Sequence, residues 1–171
     1  GNEPSHHIAY LYSWAGRPDR TADRVRQILT TQYRAEPDGL AGNEDCGQMS
    51  AWYVFGALGF YPVDPASGVY VLGAPRFDTA HLRVEGGTFT VRANRSGPGD
   101  RYVTAVRLNG RPWPFTYVRH SDVAGGGVLD IDLGPEPDPE WGRALWSRPP
   151  SDSDSPDLLE ARGRAETAAR S

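Results

Sequence analysis

Lysine is absent from this 171-residue sequence, and all 18 basic residues are arginine. Against 22 acidic residues they leave a formal net charge of −4, which gives no electrostatic case for a nucleic-acid partner. We assign the arginine bias to coding in a GC-rich genome rather than to function. Cysteine is nearly absent too. The single Cys46 excludes an intramolecular disulfide framework and leaves no thiolate set for a structural zinc site, which takes about four ligands. No stretch approaches the roughly 20 apolar residues that span a bilayer. No signal-peptide pattern opens the chain. Hydrophobic content is low at 38%, while 20 Gly and 15 Pro imply many turns. The length suits one domain or one and a half.

What the sequence does have is concentrated polarity. Residues 42–53 read Gly-Asn-Glu-Asp-Cys-Gly-Gln-Met-Ser-Ala-Trp-Tyr, with Glu44 and Asp45 in a glycine-bounded turn ahead of an apolar run. A second cluster, Gly1-Asn2-Glu3-Pro4-Ser5-His6-His7, precedes an aromatic-rich run. Such turns orient a water, bind a hard cation or hold a polyol, so a carbohydrate or metal site is one reading. The other is structural: Asp45 is a good N-cap for the helix behind it. Cys46 is expected to be a small, half-buried residue packed under the turn, since the nearest histidines in sequence are His7 and His81. His6 and His7 are adjacent and diverge by about 100° on a helix, which makes them poor zinc chelators.

Periodicity divides the chain. Ser5–Ala15 places Ile8, Leu11, Tyr12 and Ala15 at helical spacing, with Ser5 as cap. Ala22, Val25, Ile28, Leu29 and Tyr33 form a second stripe over 21–33. A third helix is expected at about 47–58, apolar nearly all round and so buried among other helices. Residues 34–46 read as a loop. Trp52 and Tyr53 suit core packing, or stacking on a sugar. From Gly59 onward, short β-type runs at 70–72, 81–84, 88–91, 102–108, 116–118 and 128–133 alternate with turns, including the hairpin signal Asn109-Gly110. They predict a small antiparallel sheet or sandwich. Beyond about Pro149 the sequence turns acidic and then Ala/Arg/Glu-rich, with too little apolar surface to offset ordering, which predicts a disordered tail.

The two polar strings, with Pro37-Asp38-Gly39-Leu40, Ala57-Leu58-Gly59-Phe60-Tyr61-Pro62-Val63, Leu108-Asn109-Gly110, His120-Ser121-Asp122 and Gly134-Pro135-Glu136-Pro137 with Trp141, closely resemble the C-terminal part of glycoside hydrolase family 92. The likeness runs over about residues 1–142. Members of that family are calcium-dependent, exo-acting α-mannosidases that invert the anomeric centre. The resemblance implies a mixed α+β architecture in three parts. Residues 1–60 would be the last helices of an (α/α)6 barrel, 61–142 an antiparallel β region, and 143–171 a disordered tail. It also implies a C-terminal fragment, inactive alone, of an enzyme acting outside the cell, at its surface or in the periplasm.

Inverting hydrolysis needs a carboxylic acid for the leaving group and a carboxylate to activate water, ~6.5–9.5 Å apart. Neighbouring side chains diverge, so Glu44 and Asp45 cannot supply both. The resemblance places the general base at Asp45, with Glu44 in support, and the general acid upstream of this chain. Asn2, Glu3, His6 and His7 fall in the string it associates with substrate, a terminal mannose of a glycan. Calcium takes about 6–8 oxygens, and Asn43, Glu44 and Asp45 are candidates to hold it, directly or through water. Some relatives carry a further acid where this chain has Asn43. A non-catalytic carbohydrate-binding or scaffold module is the competing reading.

Overall fold

The structure is a computed structural model that describes residues 2–171; Gly1 lies outside the described residues. Two 3-10 segments come first, Glu3–Ser5 and Ile8–Ser13, in place of the single α-helix expected over 5–15. Asn2 is the cap rather than Ser5, its Oδ1 accepting from the Glu3 N–H at 3.0 Å. The winding decides which face is buried. Side chains three apart eclipse in a 3-10 helix, so Tyr10 and Ser13 face inward with Ala9. The predicted stripe therefore points outward: Ile8, Leu11 and Tyr12 are 52%, 45% and 37% exposed.

Helix α1, Pro18–Thr31, starts with Pro18 in its first turn, where a missing N–H costs nothing. It buries Ala22, Val25 and Leu29 as its periodicity requires. Helix α2, Gln48–Leu58, buries Met49, Trp52, Gly56 and Ala57 but leaves Val54 half exposed. These helices join strands through an aromatic cluster. Tyr10 stacks on Tyr61 at 5.0 Å, and Tyr33 lies parallel to Trp52 at 6.0 Å. Trp52 is 2% exposed, which settles it as core.

Two sheets follow. Strands β1 (Phe60–Tyr61), β2 (Val69–Leu72) and, later, β7 (Tyr117–Arg119) form a three-stranded antiparallel sheet in the order β1-β2-β7. The other strands are β3 (Thr79–Val84), β4 (Gly87–Asn94), β5 (Tyr102–Leu108), β6 (Arg111–Pro112) and β8 (Gly127–Gly134). They pair in the order β3-β4-β8-β5-β6. A short helix α3, His120–Ala124, sits between β7 and β8. The expectation of an antiparallel sheet needs one correction, because β8 inserts between β4 and β5 and pairs with β4 in parallel. As the central strand it buries Leu129, Ile131 and Leu133 against Phe89, Val91 and Val106. Its other face carries Asp130 and Asp132, and Arg107 grips Asp132 with two bonds of 2.7 and 2.8 Å.

The predicted disordered tail is ordered. Helix α4, Pro156–Arg170, is capped by Ser155 and held by polar groups as well as by Ala165 and Ala169 against the core. Glu166 is 8% exposed; it accepts from the Tyr117 hydroxyl and from Arg119 Nε and Nη2 at 3.0 and 2.8 Å. Arg170 donates to Asp122 at 3.1 Å, and its guanidinium lies 4.9 Å from the Trp113 ring centre. Burial pushes the Glu166 carboxyl up, but the hydrogen bonds from Arg119 and Tyr117 outweigh it and hold the pKa below the usual range. The Arg119 and Arg170 side chains that meet Glu166 are 37% and 36% exposed, so the expected loss for Glu166→Ala in a denaturant titration is about 1–3 kcal/mol, set by the buried Tyr117 hydroxyl left without its partner. Because the folded pKa is depressed, the stabilisation is complete above the unfolded value of about 4.3. It is lost as pH falls through the folded value.

Candidate active site

The acidic turn has an unusual backbone. Asp45, Cys46 and Gly47 have φ of +47°, +59° and +91°, three consecutive left-handed residues of which two carry side chains. Such conformations cost on the order of 1–3 kcal/mol each outside glycine and persist where the surroundings over-determine them. Here the turn is stitched to α2: Gln48 N–H donates to the Asp45 carbonyl at 3.2 Å and Met49 N–H to the Glu44 carbonyl at 3.3 Å. The Glu44 carboxylate completes the stitch, accepting from Ser50 N–H at 3.0 Å and Ser50 Oγ at 2.8 Å.

This arrangement removes the capping reading of Asp45. The N-cap residue of α2 is Gly47, with no side-chain cap bond, and Glu44 satisfies the exposed helix donor. Asp45 is not consumed as a cap. Its side chain is solvent-exposed and lies near Glu3, whose negative charge raises the Asp45 pKa above the ordinary carboxylate range. Glu3 Oε1 is buried and lacks a hydrogen-bond partner.

The remaining expected site residues divide. Asn2 spends its Oδ1 on the Glu3 N–H. His6 is buried, its Nε2 3.2 Å from Met49 Sδ and its Nδ1 3.4 Å from Gln48 Nε2. Its carbonyl accepts from Trp52 Nε1 at 2.9 Å. Burial lowers the His6 pKa against the raising effect of Glu3. Both ring nitrogens are therefore engaged inside the protein, and the ring packs 5.6 Å from Trp52. His7 and Asn43 are exposed. Cys46 is exposed as well, a correction to its expected half-buried place; the left-handed turn swings it outward.

Tyr33 and Tyr61 escape the sequence reading of the site, where Gln48 stands in the polar string with no role assigned. Gln48 Nε2 lies 3.4 Å from His6 Nδ1, and burial raises the Tyr61 pKa against the opposing effect of Gln48. Tyr33 donates to the Met49 carbonyl at 3.1 Å, and burial, then Glu44, pushes its pKa up to about 12. A cleft of about 340 Å³ opens beside them, lined by Asn2, Ser5, His6, Gln27, Tyr33 and Trp52 among others. Gln48 had a signal, its place in the first turn of α2. The tyrosines had none, because their partners are remote in sequence.

The donors suit a hard cation in part. Glu3 and Asp45 present facing carboxylates, one with an orphaned buried oxygen, and a cation between them would relieve both defects. Among the described residues, no group of three or more His, Cys, Asp or Glu stands ready to hold a metal. Further ligands would have to be water, amide oxygen or substrate hydroxyl.

The sequence profile of the glycosyl hydrolase family 92 catalytic domain matches residues 1–135. The chain belongs to glycoside hydrolase family 92. The family GH92 α-mannosidase BT3965 of Bacteroides thetaiotaomicron superposes with a TM-score of 0.85 at 36% identity, over 90% of this chain and 21% of its own. Its complex with mannoimidazole gives a TM-score of 0.85 at 33% identity, over 96% and 23%. The family GH92 inverting mannosidase BT2199 of the same bacterium gives 0.83 at 35%, over 90% and 21%. A secreted glycosidase of Arthroderma benhamiae, otherwise uncharacterised, is 33% identical over 155 residues, 88% of this chain and 20% of that protein. The chain thus spans about a fifth of the length of these family 92 relatives. Among the described residues, no helix is long and apolar enough to cross a membrane.

Proposed function

We propose that this chain is the part of an inverting, exo-acting α-mannosidase that carries the general base, with residues 1–60 completing its helical barrel and 61–142 packing against it. The observation that carries the reading is Asp45: an exposed carboxylate on a strained turn, left free because Glu44 does the capping. Asp45 would take the proton from the attacking water. The acid would come from another part of the protein, ~6.5–9.5 Å away across the sugar.

Glu3 and Asp45, with the Asn43 amide, would hold a calcium ion, whose bound charge would engage vicinal hydroxyls of mannose and favour ring distortion. Glu44 then supports the turn rather than binding directly, since both its oxygens meet Ser50. His6 shapes the floor, while exposed His7 remains the histidine able to reach a sugar hydroxyl. The outward stripe of Ile8, Leu11 and Tyr12 with Val54 supports a barrel partner in the same polypeptide, since scattered apolar residues need no explanation but a contiguous stripe does. A mannose-containing substrate and action outside the cell are supported by the relatives, one in complex with mannoimidazole and one described as secreted.

Incubating the intact protein with an aryl α-mannoside tests the reading. Steady release of mannose is the expected result. Saturable binding with no release would replace the enzyme by a carbohydrate-binding module.

A further inference from the structure

Residues 142–150, beyond the catalytic-domain match, fasten the β half to the helices. The Ser147 carbonyl accepts from Thr116 N–H at 2.9 Å and Thr116 Oγ1 at 3.2 Å. One residue later Arg148 crosses to the helical side, where its Nη1 donates to the Trp14 carbonyl at 3.2 Å. Its Nη2 donates to the Arg143 carbonyl at 2.5 Å, and its Nε is buried without a partner. Trp14 answers: its Nε1 donates to the Pro150 carbonyl at 3.0 Å.

The guanidinium occupies the space a side chain at Gly16 would need. A Cβ there would stand 2.5 Å from Nη2, and φ is +70°. Unlike Arg162 and Arg170, which meet Asp154 and Asp122, Arg148 makes its bonds to carbonyls. That is a role of shape, which lysine, a point charge, fills poorly.

We propose that Arg148 is a positioning residue for the acidic site. By locking the Trp14–Gly16 turn it fixes the far end of the Ile8–Ser13 segment, whose near end carries His6 and Glu3. The segment transmits the constraint because it is pinned along its length. Tyr10 is wedged between Trp52 and Tyr61, and Ser13 Oγ lies 3.2 Å from Thr21 Oγ1. Anchored at Trp14, it cannot slide along α1, and Glu3 stays opposite Asp45. The inference rests on the calcium reading only in its second readout.

The experiment compares the intact wild-type protein with Arg148→Ala, Trp14→Phe and Arg170→Ala. Trp14→Phe deletes the donor to Pro150 while keeping an aromatic ring against the core, and Arg170→Ala loosens α4 without touching Trp14. Hydrogen exchange at residues 8–13 is expected to speed on the order of tenfold in Arg148→Ala, with exchange in β4 unchanged. The calcium concentration giving half-maximal activity should rise by a similar factor. Trp14→Phe should shift both in the same direction by less, and Arg170→Ala neither. Unchanged exchange at 8–13 in Arg148→Ala, or an equal effect from Arg170→Ala, would overturn the proposal. Should Arg148→Ala fail to fold, the Trp14→Phe exchange decides alone. A wild-type protein indifferent to calcium would defeat the cofactor reading, while exchange would still judge the clamp.

Discussion

Asp45→Asn in the intact protein is expected to lower turnover of an aryl α-mannoside by about 10²–10⁴-fold, the usual contribution of a general base. The substitution is clean for physical reasons. Asparagine tolerates the left-handed region about as well as aspartate, so φ of +47° at this position survives. The Glu44–Ser50 bonds that fix the turn are untouched, and so is the helix behind it. What disappears is the proton acceptor. Turnover is compared at saturating calcium, because asparagine offers the ion an amide oxygen but loses the carboxylate charge. A purified variant keeping more than about half of wild-type turnover would remove Asp45 from this role.

Exhaustive chelation is expected to abolish activity, and calcium should restore it better than zinc. The argument starts from two facing carboxylates. Without a cation, Glu3 and Asp45 repel, and a buried Glu3 oxygen lacks any partner. Calcium takes such hard oxygens readily, while zinc favours nitrogen and sulfur at four-coordinate sites. Such ligands are too few here: the His6 nitrogens are engaged by Met49 and Gln48, and exposed His7 and Cys46 fall short of the roughly four ligands of a zinc site. Full activity after chelation, in protein free of calcium by elemental analysis, would contradict this.

Much of this molecule is legible in its sequence, and the failures have causes. The α1 stripe and the alternating Leu129, Ile131 and Leu133 are read correctly because local periodicity dictates their faces. The pairing of β8 with β4 is not local, and no periodicity encodes which strand a neighbour will be. Ile8, Leu11 and Tyr12 fit an α stripe, yet 3-10 winding with the anchor Tyr10 selects another face. Helix α4 misleads most. Its Ala/Arg/Glu composition looks solvated, and its order comes from Glu166 meeting Tyr117 and Arg119 across nearly fifty residues. At the site, the string 42–53 marks the acidic turn, but which acid caps and which stays free depends on the left-handed backbone. Asp45 and Glu44 exchange the parts that helix-capping preference alone would give them.

The most direct test of the account follows mannose release by proton NMR during the first minutes of hydrolysis of an α-mannoside by the intact protein. An Asp45 carboxylate activating water on the face opposite the leaving group must deliver β-mannose first, with the α-anomer appearing only as the sugar mutarotates. First-formed α-mannose would mean a retaining mechanism, and Asp45 as the base of an inverting enzyme would be contradicted.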